Sequence, residues 1–254
     1  MGAGHVHRLY RHGHTPVHRL PAHVKLVSLV GFVVVVVATP REAFWAFGVY
    51  AALLAAVAVA ARVPLPFIAK RMVVEIPFVV FALLLPFLAA GERIDVLGIS
   101  LSEEGLLAGW NILAKGTLGV VASILLAATT DARSLLLALQ RLRVPPVLVE
   151  ITSFMVRYAD VVTDEMRRMK IARESRAFEG NTRAQMRVVA TSAGALFIRS
   201  YERGERVHLA MLSRGYAGAL PVLEVQHAQS VQWAGAALLP LSALVVSVAA
   251  WMTL

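Results

Sequence analysis

The most distinctive chemistry in the sequence is a short arginine-containing motif that occurs twice. The two copies are Ser175-Arg176-Ala177-Phe178-Glu179-Gly180 and Ser213-Arg214-Gly215-Tyr216-Ala217-Gly218. Both follow the pattern Ser-Arg-small-aromatic-x-Gly at the C-terminal end of a predicted helix. A guanidinium binds a carboxylate through two parallel hydrogen bonds and stays charged when partly desolvated. The repeat therefore predicts two similar helix ends, each presenting one arginine to a partner that is itself duplicated.

A plainer interpretation of the same motif is a basic last helical turn that arose twice by chance. Arginine near a helix C-terminus interacts favourably with the negative end of the helix dipole, and glycine commonly follows such an end. This interpretation requires no partner, and the sequence alone leaves both open.

Histidines are concentrated in the N-terminal segment. Six of the eight lie within the first 23 residues: His5, His7, His12, His14, His18 and His23. Imidazole suits nickel, cobalt and zinc, so a flexible tail of this kind could chelate a metal. The alternative, which we favour, is a solvated basic tail near lipid headgroups, and we assign no metal ligand.

Three polar residues interrupt apolar stretches. Glu75 begins one such stretch, and Asn111 and Lys115 fall on one helix face near the start of the next. Charges at membrane depth are costly and tend to face a cavity or a partner. We favour snorkelling of these residues to the membrane interface, and the alternative is that they pair with one another or line a partner-facing surface.

Common catalytic motifs are missing from the sequence. There is no Gly-x-x-x-x-Gly-Lys-Ser/Thr phosphate-binding loop, no Gly-x-Ser-x-Gly and no His-Glu-x-x-His. The sequence therefore predicts no ATP hydrolysis by this chain itself, no catalytic residues and no bound cofactor.

Composition indicates an integral membrane protein. Of the 254 residues, 58% are hydrophobic and 16% are charged, and the mean hydropathy is +0.68. Soluble domains are about 45–50% apolar and about 25% charged, so a typical soluble enzyme, a disordered chain and a coiled coil are excluded. The net charge is +9, but no basic patch is interleaved with stacking aromatics, so no nucleic-acid partner is expected.

Five apolar stretches predict about five transmembrane helices, since about 20 residues cross the hydrocarbon core. The stretch 26–61 splits at Thr39-Pro40-Arg41-Glu42 into two spans. A proline-marked polar connection at 62–71 leads to a third span at 72–90. The fourth and fifth spans are expected at 106–130 and 233–251.

The distribution of charge predicts the topology. Basic residues are concentrated in 1–25, 62–71 and 131–221, and the last of these contains 15 Lys and Arg against 9 Asp and Glu. The loop 91–105 is acidic, and cytoplasmic loops collect Lys and Arg. We therefore expect a plasma-membrane protein with a cytoplasmic N-terminus, an outside C-terminus and a cytoplasmic helical domain.

These patterns together predict an all-α polytopic membrane protein with four parts. They are a basic His-rich cytoplasmic tail at 1–25, a membrane domain of about four helices at 26–130, a cytoplasmic helical domain at 131–221, and a C-terminal transmembrane helix at 231–253.

Within the cytoplasmic domain, helices are predicted at 133–143 after an Asp131 cap, at 147–178 after two prolines, at 183–201 with Thr182 as a possible cap, and at 205–213 after an interruption at Gly204.

At the two arginine motifs, the sequence resembles the transmembrane T component of energy-coupling factor transporters, a class of ABC importer. That family has two Ala-Arg-Gly-type motifs at the ends of two cytoplasmic coupling helices. Both copies here keep the arginine, neither keeps the leading alanine, and the first lacks the glycine. Residues 18–26 and 197–206 also resemble family segments. The likeness covers nearly the whole chain and is closest to the cobalt-type, CbiQ-like branch.

The resemblance implies a function without catalysis. The chain would be the energy-coupling permease subunit, which transmits the ATP-driven motion of two ABC ATPase subunits to a membrane S component that binds the substrate. The likeness to the cobalt-type branch implies cobalt as that substrate, with nickel or a vitamin as alternatives. Arg176 and Arg214 would sit in acidic grooves of the ATPases, with Ser175, Ala177, Phe178, Ser213, Gly215 and Tyr216 completing the motifs and Arg173 and Glu174 in support. Glu75, Asn111 and Lys115 are candidates for the surface that faces the S component. ATP would be used by the partner subunits alone.

Two other function classes stay open at this point. A self-sufficient secondary transporter or channel requires broken helices or buried charges in repeated halves, and no inverted repeat is evident. A membrane-bound enzyme requires a His, Asp or Glu cluster at a membrane face, and the acidic loop 91–105 contains no histidine. Uptake by the chain alone, or turnover by the purified protein, distinguishes these classes from the importer subunit.

Overall fold

The structure is a computed structural model that describes residues 10–89, 93–96, 99–176, 182–218 and 228–253. Its internal contacts divide the chain into two compact units. The membrane unit comprises residues 9–138 and 226–254, and the charged-helix unit comprises residues 139–225.

The described residues form ten α-helices and one short hairpin. The helices are α1 Pro16–Arg19, α2 Ala22–Ala38, α3 Phe44–Ala60, α4 Leu65–Ala69, α5 Ile76–Leu88, α6 Glu103–Thr129, α7 Ala132–Arg141, α8 Pro146–Glu174, α9 Thr182–Leu212 and α10 Ser230–Met252. The strands are β1 Arg93–Val96 and β2 Ile99–Ser102. The predicted all-α class is confirmed, because the two four-residue strands are only a local hairpin between membrane helices.

Within the described part of the chain, three helical segments are long and apolar enough to cross a membrane. They are Leu65–Leu88 with 24 residues, α6 with 27 and α10 with 23. The apolar helices α2 and α3 have 17 residues each, which is near the lower limit of about 17–25 residues for a span. The chain is therefore a polytopic membrane protein.

Contacts at the helix ends fix the helix directions within the membrane unit. Lys25 in the first turn of α2 contacts Thr129 at the end of α6, so these two helices are antiparallel. Ser28 of α2 donates a hydrogen bond to the carbonyl of Ala236 near the start of α10 at 2.6 Å, so these two helices run in the same direction. Consequently α6 ends, and α10 begins, at the end of the membrane unit where α2 begins.

The connection predicted at 62–71 is partly helical, which corrects the expected boundary of the third span. Pro64 precedes α4 and Pro66 lies in its first turn, where the missing proline N–H has no intrahelical acceptor in any case. A 3₁₀ turn at Met72–Glu75 then joins α4 to α5. The two prolines therefore begin the helical segment.

The acidic loop contains the hairpin and ends in a helix cap. Strands β1 and β2 are antiparallel, with Arg93 opposite Ser102. The Ser102 hydroxyl accepts a hydrogen bond from the amide of Gly105 at 3.3 Å, and Glu103 and Glu104 lie in the first turn of α6. Because this is a favourable helix start, α6 begins three residues before the predicted position.

Helices α5 and α6 approach closely at two glycines of α6 that are four residues apart. A Cβ atom at Gly105 would lie 2.7 Å from the carbonyl oxygen of Leu85, and one at Gly109 would lie 2.7 Å from that of Ala82. Small residues at this spacing let membrane helices pack backbone to backbone. The α5–α6 pair therefore depends on the absence of side chains at both positions.

The charged-helix unit and the helix that leads into it confirm several predicted boundaries. The Asp131 carboxylate accepts a hydrogen bond from the Ser134 amide at 3.2 Å, so it caps α7, and Pro146 begins α8. Helix α8 ends at Glu174, four residues before the predicted end.

The predicted interruption at Gly204 is wrong, because α9 runs unbroken from Thr182 to Leu212. A glycine within a helix costs only about 1 kcal/mol relative to alanine. Glu202 and Arg206 lie across Gly204 at i,i+4 spacing with a separation of 3.9 Å. The 31-residue helix therefore tolerates one weak position, and residue 182 begins it.

Candidate functional site

The two serine-arginine pairs have the same local geometry at the ends of α8 and α9. The Ser175 amide donates to the carbonyl of Ile171 at 2.9 Å, and the Ser213 amide donates to that of Leu209 at 3.0 Å. Each serine hydroxyl also donates to the carbonyls three and four residues before it, at 3.0–3.3 Å. Each arginine amide that follows bonds to the carbonyl three residues back. The repeated sequence therefore corresponds to a repeated helix end.

Helix α9 ends in a Schellman motif that fixes the position of Arg214. The Tyr216 amide donates to the carbonyl of Met211, and the Gly215 amide donates to that of Leu212, both at 3.0 Å. Gly215 has a φ of 83°, a left-handed conformation that L-residues with a side chain adopt only at an energetic cost. The glycine of the second motif is thus required by the backbone, and it leaves Arg214 exposed at the helix end.

Tyr216 ties this helix end to the start of α8. Its phenol hydroxyl donates a hydrogen bond to the carboxylate of Glu150, and its ring meets that of His208 edge-on at 6.4 Å. The bond to the Glu150 carboxylate raises the pKa of the Tyr216 phenol above its ordinary value. The aromatic residue of the motif therefore has a positioning role that the sequence pattern did not reveal.

At the end of α8, Arg176 is exposed and Arg173, one turn earlier, is half-buried. Glu174 lies 3.7 Å from Lys170 in an exposed ion pair, a kind of pair that contributes little to stability. Ala177 and Phe178, which complete the first motif, lie outside the described residues. The supporting roles predicted for Arg173 and Glu174 remain predictions.

The two motifs lie at opposite ends of an antiparallel helix pair. Arg199 of α9 forms a 2.6 Å ion pair with Glu165 of α8, and Glu150, near the start of α8, meets Tyr216 beyond the end of α9. From Glu150 to the end of α8 the helix is about 36 Å long at 1.5 Å per residue. Two arginines at this separation present two distinct contact points.

A cavity of 160 Å³ lies within the membrane unit, and one of 360 Å³ lies between α8 and α9. The second is lined by Phe154 and Tyr158, whose rings stack at 6.4 Å, and by Arg203, Gly204 and His208. Because these residues come from both helices, the cavity marks where α8 and α9 cross.

Of the three polar residues predicted within the apolar stretches, Glu75 and Lys115 have separate partners. Buried Glu75 accepts a hydrogen bond from the hydroxyl of Thr117. The Lys115 ammonium donates to the carbonyl of Val37 near the end of α2 at 2.8 Å, and the side-chain oxygen of Asn111 is buried without a hydrogen-bond partner. Glu75 and Lys115 therefore each bond to a different helix, and the surface facing the S component remains a prediction.

His18 and His23 both have structural contacts. One ring nitrogen of His18 hydrogen-bonds the Thr15 hydroxyl at 2.7 Å and the other the carbonyl of Arg11 at 3.1 Å. Burial lowers the pKa of His18 below its ordinary value, and the ring of His23 packs against Trp233. Among the residues that the structure describes, no three His, Cys, Asp or Glu side chains are grouped to hold a metal.

Lys25 is a functional candidate that sequence reasoning missed. It is 8% exposed at the start of α2, and its ammonium donates to the carbonyl of Thr129 at 2.8 Å. A single lysine at the start of an apolar stretch is equally typical of snorkelling. No sequence signal identifies a partner 104 residues away.

Residues 13–224 match the protein family CbiQ, described as cobalt transport protein. The match covers far more than half of the chain. The chain belongs to the CbiQ family.

Individual relatives agree with this membership of the CbiQ family. Cobalt transport protein CbiQ of Rhodobacter capsulatus is 28% identical over 179 residues, which are 70% of this chain and 72% of the relative. The energy-coupling factor transporter transmembrane protein EcfT of Staphylococcus aureus is 29% identical over 217 residues, 79% of each chain. An uncharacterised protein of Methanocaldococcus jannaschii is 31% identical over 143 residues, which are 56% of this chain. The match spans about half of that relative's length, 53%. The predicted resemblance to energy-coupling factor T components near the CbiQ branch is confirmed.

Proposed function

We propose that this CbiQ-family chain is the energy-coupling permease subunit of an energy-coupling factor importer. It transmits the ATP-driven motion of two ABC ATPase subunits to a membrane S component that binds the substrate, with cobalt as the cargo suggested by the family. The observation that supports this most strongly is the pair of serine-arginine helix ends with matching hydrogen bonds in a chain of this family.

The geometry suits two ATPase contacts. Arg176 and Arg214 are exposed, and both follow the C-terminal end of a long helix in one antiparallel pair. Because a guanidinium recognises a carboxylate with defined geometry, each arginine would anchor the pair in an acidic groove of one ATPase. A helix resists compression along its axis, so movement of the two anchors would be passed on as rigid-body motion of the pair.

In this proposal, the remaining machinery belongs to the partner subunits. The chain has no phosphate-binding loop motif, so ATP would be bound and hydrolysed by the ATPases and no cofactor by this chain. The S component would supply substrate recognition, and the surrounding bilayer would be the plasma membrane.

The proposed orientation follows from the basic end of the membrane unit. At this end, where α2 begins, the Arg11 amide donates to the carbonyl of Ala128 at 3.0 Å, and its guanidinium lies 5.5 Å from the ring of Phe67. Lys70 and Arg71 follow α4 directly. Because Lys and Arg collect on the cytoplasmic side, we place this end, with the N-terminus, in the cytoplasm.

The test is co-purification of ATPases together with uptake of radiolabelled cobalt in cells that express the whole importer. The double variant Arg176→Glu/Arg214→Glu reverses both proposed anchors. Loss of one partner of a buried, hydrogen-bonded charge pair costs about 2–5 kcal/mol of binding free energy, and the reversal adds repulsion between like charges. We expect loss of ATPase from the purified protein and uptake at background. The control Arg157→Glu/Arg187→Glu makes the same change in net charge at two exposed arginines of the same helices, and it should behave as wild type.

Two outcomes would contradict the proposal. Normal co-purification and uptake with the Arg176/Arg214 double variant would show that these arginines do not anchor the ATPases. Cobalt uptake by the chain expressed without ATPases would favour a secondary transporter. Equal loss in the control would show that the assay responds to net charge instead of the motif.

A further inference from the structure

Lys25 is a buried charge that joins three parts of the membrane unit. Its ammonium donates to the carbonyl of Thr129 at 2.8 Å, to the hydroxyl of Thr130 at 3.3 Å and to the carbonyl of His18 at 3.3 Å. An ammonium has three donors, so all of them have acceptors here. The lysine links the start of α2 to α1 and to the end of α6.

The location of this lysine matches the electrostatics of a helix end. Thr129 is the last residue of α6, and the last carbonyls of a helix lack intrahelical donors and form the negative end of its dipole. Thr129 and Thr130 are 4% and 5% exposed, so water has little access to these groups. Lys25 therefore supplies a donor and a positive charge where both are needed.

The residues that Lys25 holds form the joint between two helices. Helix α6 ends at Thr129 and α7 begins at Ala132, so only Thr130 and Asp131 separate them. Thr130 has an extended backbone with φ −140° and ψ 125°, and Asp131 caps α7 through the Ser134 amide. A short non-helical joint can bend, because no helical hydrogen bonds cross it, unless side chains hold it.

We propose that Lys25 is a positioning residue for energy coupling, which clamps the α6–α7 joint so that α7 keeps a fixed direction from the membrane helices. Helix α7 is followed in the chain by α8 and α9, which end in the two serine-arginine motifs. A stiff joint passes displacement that reaches α7 on to α6, whereas a loose joint absorbs it. The inference rests on the function proposed above, because it assumes that motion arrives from the ATPases.

The test compares Lys25→Met with wild type in the complete importer. Methionine keeps most of the side-chain length but removes the charge and all three hydrogen bonds. Because hydrogen bonds to charged groups are strong, we expect cobalt uptake to fall about ten-fold or more. ATPase co-purification and ATP hydrolysis should stay near wild type, since neither motif is altered. This uncoupling of hydrolysis from uptake is a result that mere destabilisation does not produce.

Three further variants make the test specific. Lys70→Met removes an exposed lysine beyond α4 and should leave uptake unchanged. Lys25→Arg keeps the positive charge and several donors, and it should restore part of the uptake. Thr130→Val removes only the hydroxyl acceptor, changes the volume little, and should reduce uptake less than Lys25→Met does.

The outcomes separate this inference from the proposed function. Failure of wild type to recruit ATPase would overturn the proposed function whatever Lys25 does. Recruitment by wild type with full uptake by Lys25→Met would overturn the clamp alone. Loss of ATPase recruitment by Lys25→Met and Thr130→Val would also overturn it, because Lys25 would then serve folding and not coupling.

Discussion

Substitution of Gly215 tests whether the second serine-arginine end depends on its backbone. Gly215 has φ 83°, and a Cβ atom placed there meets nothing within 4 Å. Gly215→Ala therefore changes no packing, and its effect arises from the left-handed conformation. That conformation costs about 1–2 kcal/mol for an L-residue with a side chain, which lowers the ratio of closed to frayed helix end about 5- to 30-fold.

The measurement is hydrogen exchange at the two amides that close the motif. The amides of Gly215 and Tyr216 donate to the carbonyls of Leu212 and Met211 at 3.0 Å, so their protection should fall by that ratio in Gly215→Ala. Asparagine tolerates the left-handed region better than alanine does, and β-branched valine tolerates it worst. The loss should therefore increase in the order Gly215→Asn, Gly215→Ala, Gly215→Val, with ATPase co-purification decreasing in parallel.

Gly194 provides a matched control within α9, the helix that ends just before Gly215. It lies inside α9, and a Cβ atom there also meets nothing within 4 Å. Gly194→Ala should stabilise α9 by about 0.5–1 kcal/mol, since glycine within a helix is unfavourable relative to alanine. Equal or greater protection in Gly215→Ala than in wild type would refute the assignment of a strained backbone at Gly215.

Two further predictions concern packing and ionisation. Gly109→Leu should push α5 away from α6, because a Cβ atom at position 109 would lie 2.7 Å from the carbonyl oxygen of Ala82. Overpacking of this kind destabilises a protein by about 1–3 kcal/mol. A thermal melt in detergent should therefore show a lower midpoint than for the control Gly119→Ala, where a Cβ atom meets nothing within 4 Å. Glu150→Gln should lower the pKa of Tyr216 toward its ordinary value, since the hydrogen bond to the Glu150 carboxylate raises that pKa. Ultraviolet titration of the phenol measures the change. An unaltered titration would contradict the hydrogen bond between Tyr216 and Glu150.

The membrane helices could be predicted from the sequence because their signals are strong and local. The polar group at 39–42 was expected to divide two spans, and α2 ends at Ala38 while α3 begins at Phe44. A charged or proline-containing group is costly in hydrocarbon, so few alternative boundaries compete. Composition and charge were therefore sufficient for the class of fold.

Helix boundaries that were predicted from single residues with a small effect on helix stability were wrong. The helix break expected at Gly204 is absent, because α9 continues through it and a single glycine costs only about 1 kcal/mol. The prolines at 64 and 66 were interpreted as part of a connection, yet both fit the start of α4. Proline is tolerated in the first turn of a helix, so the same residue type that ends one helix can begin another.

The chemistry of the candidate site was only partly accessible from the sequence. The serine-arginine repeat could be found because it is contiguous, whereas the bond from Tyr216 to Glu150 joins residues 66 positions apart. That contact depends on the register of the antiparallel pair, which no local pattern specifies. The clamp at Lys25 is inaccessible for the same reason.

The hydrogen bonds of the two serines bear on how the arginines are available to a partner. Each hydroxyl donates to carbonyls of the last helical turn, so the helix end receives donors from its own serine and does not require the guanidinium. The helix dipole still attracts the arginine, but it is equivalent to only about half an elementary charge. A carboxylate in a partner groove carries a full charge and accepts two parallel bonds from a guanidinium. An acidic groove would therefore compete successfully with the helix end for Arg176 and Arg214. The serine of each motif lowers the free-energy cost of moving the guanidinium from the helix end to the groove, because its hydroxyl already bonds to the last carbonyls.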